Sequence, residues 1–461
     1  MYIKGRYIVS VFALVFGQLA TAAGMDCSKA ASVVEDTICA QKPLYELDVQ
    51  MGSAYRKLMK ATPLAQTELK KTQRQWLKTR NKCADDVNCL SQQYQERLQI
   101  LHMQWVEAVA YQPDDIDKQV MQDLQQRIQD AGKNHPEFAL EKALGAFATE
   151  DGTTSFSGDP ADDSAYDHTL FPKNMPKGVT PNEWTALNAS GLDADAEQGQ
   201  AQYTLIDLDG DGQRDLFIST YTGGTGLFSF YETLRRDGDR FTRRLAPYDP
   251  EASAGSSLFS TNDRGANQSA GWIKSHGRMY LAYRNGSYGV DQVYLLNPLK
   301  INSQIPTITV RYDYQLIVPR TQHHQEDDSA YELEPGLQKA LTSALIKSNA
   351  GKPLQPPSQT PPLCPIPASG AGGGDYYSYG ASYYAMESVT DMSVIIDNEC
   401  FIARLNNWFG SYSEKGGLPA LLTLRKPDSE ESVQSYSVNG LRHITQVSTS
   451  IGRAENGAEV F

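Results

Sequence analysis

Five residues within nine positions carry the sharpest chemical signal: Asp207, Asp209, Asp211, Gln213 and Asp215, with Gly210 and Gly212 between them. Carboxylates at alternate positions of a tight loop can converge on one cation. Ca²⁺ takes six to eight oxygen ligands at about 2.3–2.6 Å, so the four acids and the Gln213 carbonyl would form most of a shell. Gly212 permits the sharp turn such a loop needs. The expected cofactor is therefore a single structural Ca²⁺.

No comparable signal exists for catalysis. None of the seven histidines forms an H-E-x-x-H pair, and the chain has no G-x-S-x-G elbow and no P-loop. His323 and His324 precede a polar run, Gln325 to Asp328, which reads as solvated loop. The expectation is a non-enzyme.

The segments flanking the acidic loop, Tyr203–Ile206 and Leu216–Thr220, read as strands. Position 12, where an EF-hand loop has Glu, holds Ile218. The loop thus resembles the calcium-binding β-hairpin loops of FG-GAP and integrin-type repeats, in which the ninth-position Asp completes the site.

The chain opens with Lys4 and Arg6, an apolar run from Tyr7 to Ala20, and the small-residue pattern Ala20-Thr21-Ala22. This reads as a cleaved signal peptide over 1–23 and hence as a periplasmic or secreted protein. No later run is long and apolar enough to suggest a transmembrane segment. In an oxidising compartment the six cysteines imply three disulfides. Four lie early, at Cys27, Cys39, Cys83 and Cys89; two lie late, at Cys364 and Cys400. Each group is expected to pair within itself.

Residues 24–110 read as a helical module. Leu44, Leu47, Asp48, Met51, Tyr55 and Leu58 share one stripe; Leu69, Gln73, Trp76, Leu77 and Arg80 another; Leu90, Tyr94, Arg97, Leu98, Leu101 and Trp105 a third. Short joints make this an antiparallel bundle. Its hairpin should return the end near Arg80 to the start near Pro43, so Cys27 and Cys39 are expected to cross-link to Cys83 and Cys89, with the individual partners open. Asp48, Arg80 and Arg97 fall on apolar stripes, where a charge is costly unless paired. Asp48 is expected to pair with one of the two arginines.

Beyond the module, 111–149 reads as a helical connector, 150–169 as a linker and 170–350 as a β-rich domain. Within that domain Ile308 to Leu316 alternates with period two. Seven prolines fall in 353–367, which marks 351–375 as a linker. Residues 376–461 form a small α+β unit or an extension of the β domain, with a helix expected over Cys400–Trp408. The fold class is α+β and multidomain: a disulfide-linked antiparallel helical bundle, then a mostly antiparallel β domain.

Cys27, Glu35, Cys39, Leu47-Asp48, Tyr55, Gln73-Arg74, Trp76-Leu77, Arg80, Cys83, Cys89-Leu90, Tyr94 and Arg97 together resemble the N-terminal module of LprI-like lysozyme inhibitors over residues 27–101. The resemblance implies an exported bacterial envelope protein that binds lysozyme or another peptidoglycan hydrolase without catalysis. Charge constrains how. The full chain carries −13, so nucleic acid is not the expected partner. Residues 27–110 carry twelve basic and nine acidic side chains; residues 111–461 carry 28 and 45, or −17. A module at +3 has no bulk attraction for a basic lysozyme. The loop Thr79–Asp86, with Arg80 and Lys82, is the nearest candidate for a basic probe of an acidic cleft. Two other function classes stand beside this one. One is a secreted, calcium-dependent adhesion or glycan/peptide-binding protein using the Tyr-rich stretch after residue 375. The other is an envelope hydrolase with an unrecognised site.

Overall fold

The computed structural model describes residues 25–161, 168–193, 199–224, 226–243, 257–264, 266–324, 327, 329–348, 364, 376–379, 382–429 and 432–453. Residues 1–23, expected as a signal peptide, and the Pro-rich segment lie outside these, Cys364 excepted. Two compact units emerge, Met1–Val109 and Ala110–Phe461.

Among the described residues the first unit holds four α-helices: α1 (Val33–Ala40), α2 (Lys42–Ala61), α3 (Gln66–Arg80) and α4 (Val87–Val109). Ser32 caps α1 by accepting from Glu35 N–H, while the Glu35 carboxylate accepts from Ala31 N–H at 2.8 Å. The first bond satisfies a donor that helix geometry leaves orphaned, and the second fixes the chain entering the helix. Pro43 sits in the first turn of α2, where its missing N–H costs nothing. Thr62-Pro63 ends that helix. Leu44, Met51, Leu58, Leu69, Leu90, Tyr94, Leu98 and Leu101 meet in its core.

The disulfides correct the expected crossed pairing. Cys27 bonds Cys39 and Cys83 bonds Cys89, with Cα–Cα distances of 5.7 and 5.6 Å. Each link closes a local loop, one over the N-terminal turn and α1, the other over the α3–α4 joint. A sequence separation of only 6 or 12 brings these partners within bonding reach without the hairpin returning on itself.

The second unit is built on two antiparallel sheets. Its first strands are β1 (Thr154–Ser157), β2 (Asp159–Pro160) and β3 (Thr169–Leu170); helix α7 (Pro181–Ala189) follows. Then come β4 (Gln200–Ile206), β5 (Asp215–Gly223), β6 (Phe228–Asp237), β7 (Arg240–Arg243) and β8 (Phe259–Asn262). The smaller sheet runs β1-β4-β5-β6-β7, with β8 also on β6. Residues 150–169, expected as a linker, instead supply β1, β2 and β3, because Phe156 stacks on the buried Tyr203.

The larger sheet adds β9 (Asn267–Ser275), β10 (Arg278–Ser287), β11 (Val290–Leu296) and β12 (Ile305–Ile317). After the hairpin β13–β14 (Thr321–His323, Ala330–Glu332), helix α8 (Pro335–Ser348) and the hairpin β15–β16 (Tyr376–Tyr379, Ser382–Ala385), it takes β17 (Glu387–Ile396), β18 (Glu399–Asn407), β19 (Ala420–Arg425) and β20 (Ser432–Gly452). Its order is β17-β18-β19-β20-β12-β11-β10-β9. The C-terminal strands therefore extend the β domain. The helix expected over Cys400–Trp408 is strand β18, whose buried Ile402, Ala403 and Leu405 pack in the sheet core.

The stretch expected as a connector forms α5 (Asp115–Asn134) and α6 (Ala139–Phe147). Val120, Leu124, Ile128 and Leu140 are buried against Tyr280, Val310 and Tyr312 of the large sheet, so these helices belong to the second unit. A buried ionic cluster helps hold α6 there. Arg284 reaches Glu141 at 2.9 Å and Asp291 at 2.7 Å, and Arg442 reaches Glu141 at 2.7 Å. Arg442, 1 % exposed, also lies over the Tyr312 and Tyr412 rings. Two guanidinium groups facing two carboxylates leave the cluster neutral, the condition under which buried charge is tolerated.

Cys364 and Cys400 do not form the expected third disulfide. Their thiols lie within hydrogen-bonding reach, and burial above all raises the Cys364 thiol to about 11. Cys364 Sγ faces the Phe401 carbonyl at 3.7 Å. A buried, protonated thiol is a poor nucleophile for exchange.

Candidate functional site

In the helical unit the structure brings two of the three charged stripe residues together. Asp48, Arg80 and Arg97 are 6, 6 and 5 % exposed. Asp48 Oδ1 accepts from the Tyr94 hydroxyl at 2.7 Å, and that hydroxyl accepts from Arg80 Nη1 at 2.9 Å. The Arg80 to Asp48 separation is 3.9 Å. Asp48 Oδ2 takes Met25 N–H at 2.8 Å, tying the start of the described chain to α2. Burial above all drives the Tyr94 phenol far above its ordinary range, so it stays a donor. Arg97 stands apart: its Nε donates to Gln73 Oε1 at 2.9 Å, while Nη2 is buried with no partner among the described residues. Burial depresses its pKa. Tyr94 joins acid to base; its place on an apolar stripe signals core, and only its hydroxyl marks it otherwise. Trp76 meets the Tyr94 ring edge-on at 5.4 Å.

Residues 27–129 match the family model described as lysozyme inhibitor LprI. The match covers the whole LprI-like bundle and runs on into α5. No curated protein and no solved structure matches the chain. Among the described residues no helix is long and apolar enough to cross a membrane.

Outside the LprI-like bundle, the acidic loop joins β4 to β5 as a hairpin, with Ile206 opposite Asp215. Gly210 and Gly212 have φ of +77° and +84°, a region costly for any side chain. Asp207 fixes the turn by accepting from Gly210 N–H at 2.8 Å and Gly212 N–H at 3.1 Å. Ligand oxygens of Asp207, Asp209 and Asp215 lie within 4.8 Å of one another. Asp211 is outside that cluster, and its Oδ1 accepts from Gln213 N–H at 2.8 Å. Asp215, 2 % exposed, takes Leu208 N–H and Arg236 N–H on its two oxygens, one on each. Carboxylate oxygens have two lone pairs apiece, so those bonds leave room for a cation. Burial first, then the charges of Asp209 and Asp211, push the Asp215 carboxyl up to about 6. Three convergent carboxylates, one raised by burial and then by its neighbours' charge, fit a divalent cation. Arg235 already offers Asp209 a partial counter-charge at 2.8 Å.

Arg214, between the acids, faces away from them. It grips Glu183 with two bonds of 2.7 Å and donates to Thr154 Oγ1 at 2.6 Å. Bonds from Arg214 and Thr180 overcome burial and hold the Glu183 carboxyl at about 2, against an ordinary 4.5. A depressed folded pKa gives stability that is complete above 4.5 and disappears as pH falls through 2. In thermal melts from pH 5 to 2, Glu183→Gln should therefore flatten the acid loss of the second unit. An unaltered pH slope would refute the assignment.

The loop borders a cleft of about 900 Å³ whose other walls include Lys274, His276, Arg278 and Lys300. His276 pairs with Asp123 at 2.8 Å, and Arg278 with Asp114 at 2.9 Å.

Proposed function

We propose that the LprI-like module binds lysozyme or a related peptidoglycan hydrolase and blocks it without performing chemistry, in the periplasm or outside the cell. The family match over residues 27–129 carries this reading. The two disulfides support an extracytoplasmic setting, since such links persist in oxidising compartments. The buried Asp48–Tyr94–Arg80 chain supports a rigid scaffold rather than a contact surface, so Arg80 is withdrawn as a basic probe. Lys82 stays exposed in the disulfide-closed joint. We further propose that Asp207, Asp209 and Asp215 hold one structural Ca²⁺ in the second unit.

Clearing of a peptidoglycan suspension by a panel of lysozymes, titrated with the full chain, tests the main reading. The initial rate should fall towards zero near equimolar protein for at least one lysozyme, and Lys82→Glu should weaken that inhibition. Rates unchanged at hundredfold excess across the panel would exclude it.

A further inference from the structure

The turn after β18 is held in an unusual backbone conformation. Phe409 has a φ of +46° and Gly410 of +71°. A Cβ on Gly410 would sit 2.3 Å from the Ser287 carbonyl oxygen, so the turn is pressed against the end of β10 and only glycine fits. The fully buried Asn407 locks it by accepting from Gly410 N–H through Oδ1, and Ser411 N–H donates to the Trp408 carbonyl at 2.8 Å. Left-handed backbone is rare for an aromatic residue and persists only where its surroundings enforce it. Its result is two consecutive aromatic side chains, Trp408 and Phe409, lining one cleft of about 610 Å³.

The rest of the lining comes from the β8–β9 turn and the start of β9. These contribute Asp263, Arg264, Asn267 and Gln268. That wall is also fixed: Asn262 Oδ1 accepts from Arg264 N–H at 3.2 Å, and Gln268 Oε1 accepts from Asn262 N–H at 2.8 Å. The Gln268 amide group keeps its donors. Arg264 Nε is buried with no hydrogen-bond partner among the described residues. The cleft volume lies within the ~300–1,000 Å³ common for small-molecule sites.

We propose that this cleft binds a neutral saccharide. A pyranose ring has an apolar C–H face and a rim of hydroxyls, each both donor and acceptor. Trp408 and Phe409 supply a rigid aromatic wall for the face. Asp263, Asn267, Gln268 and Arg264 supply acceptors and donors for the rim. Asp263 and Arg264 cancel in charge, which selects a neutral sugar over a phosphorylated or acidic one. Walls fixed before the ligand arrives reduce the ordering cost of binding. This site lies wholly in the second unit and is independent of the hydrolase reading.

The full chain, titrated calorimetrically and by tryptophan fluorescence with chitotetraose, cellotetraose and maltotetraose, should show saturable binding of at least one. Trp408→Ala should weaken that binding at least tenfold, and Asn267→Ala about fivefold with an unchanged melting temperature. Lysozyme inhibition measured on the same variants should be unaffected, which separates the two readings. Absence of saturable binding to all three sugars at millimolar concentration overturns the proposal. So does parental affinity in Asn267→Ala and in folded Trp408→Ala.

Discussion

Asp48→Ala should lower the melting temperature of the helical unit by at least roughly 12 °C. The variant removes the acceptor for the Tyr94 hydroxyl and for Met25 N–H, and it strands the Arg80 guanidinium in the core. Breaking one side of a buried pair costs about 3–5 kcal/mol, because the remaining charge loses its counter-charge and keeps only neutral partners, here Asn81 Oδ1 and the Tyr94 hydroxyl. For a domain of this size each kcal/mol moves the midpoint by about 4–8 °C. Arg97→Met supplies the contrast. Arg97 makes one bond to Gln73 and leaves a buried nitrogen unpaired, so an apolar side chain of similar length should be tolerated or stabilising. Circular dichroism melts of both variants decide the matter. Equal losses would mean that Arg97 carries as much as the Asp48–Arg80 pair, against the geometry.

Millimolar Ca²⁺ should raise the melting temperature of the second unit by roughly 5 °C at pH 7, and by less at pH 5. Ligand at about a hundred times its Kd stabilises by about 2.7 kcal/mol. The pH sign follows from Asp215, whose carboxyl sits at about 6 when folded against 3.8 ordinarily. With a raised acid pKa, the folded state binds the extra proton. Its contribution is therefore complete below 3.8 and is lost as pH climbs through 6. Without a cation the hairpin is strained by its own charge at pH 7, and there Ca²⁺ has most to relieve. At pH 5 protons occupy the same carboxylate and compete. Asp209→Asn should abolish the calcium response while bringing the Asp215 carboxyl down, since one repelling charge is gone. Identical melts in Ca²⁺ and chelator at pH 7 would rule out the site.

Where a residue's environment is local, its role was readable from the chain. The three helical stripes became α2, α3 and α4, and Gly212 took the left-handed turn expected of the acidic loop. The disulfides follow sequence proximity, with separations of 12 and 6, rather than the hairpin's return. β20 escaped notice for a different reason. Its inward face presents Tyr436, Val438, Gly440 and Arg442, while Leu441 points outward at 47 % exposure. The usual alternation is inverted by an arginine whose partners, Glu141 and Asp291, lie far away in the chain. Pairing of that kind leaves no periodic trace. The Trp408–Phe409 cleft was hidden likewise, since its two walls come from segments about 140 residues apart.

The position of β20 has a bearing on biogenesis. Strand β20, the last among the described residues, lies between β19 and β12, in the middle of the large sheet rather than at its rim. Until residues near 450 leave the ribosome, β12 and β19 lack the neighbour that joins them, and the two halves of the sheet cannot zip together. Such late, long-range closure is intrinsically slow. A nascent polypeptide organised this way leaves its large sheet open through most of synthesis, and closes it only once residues 432–452 have been made.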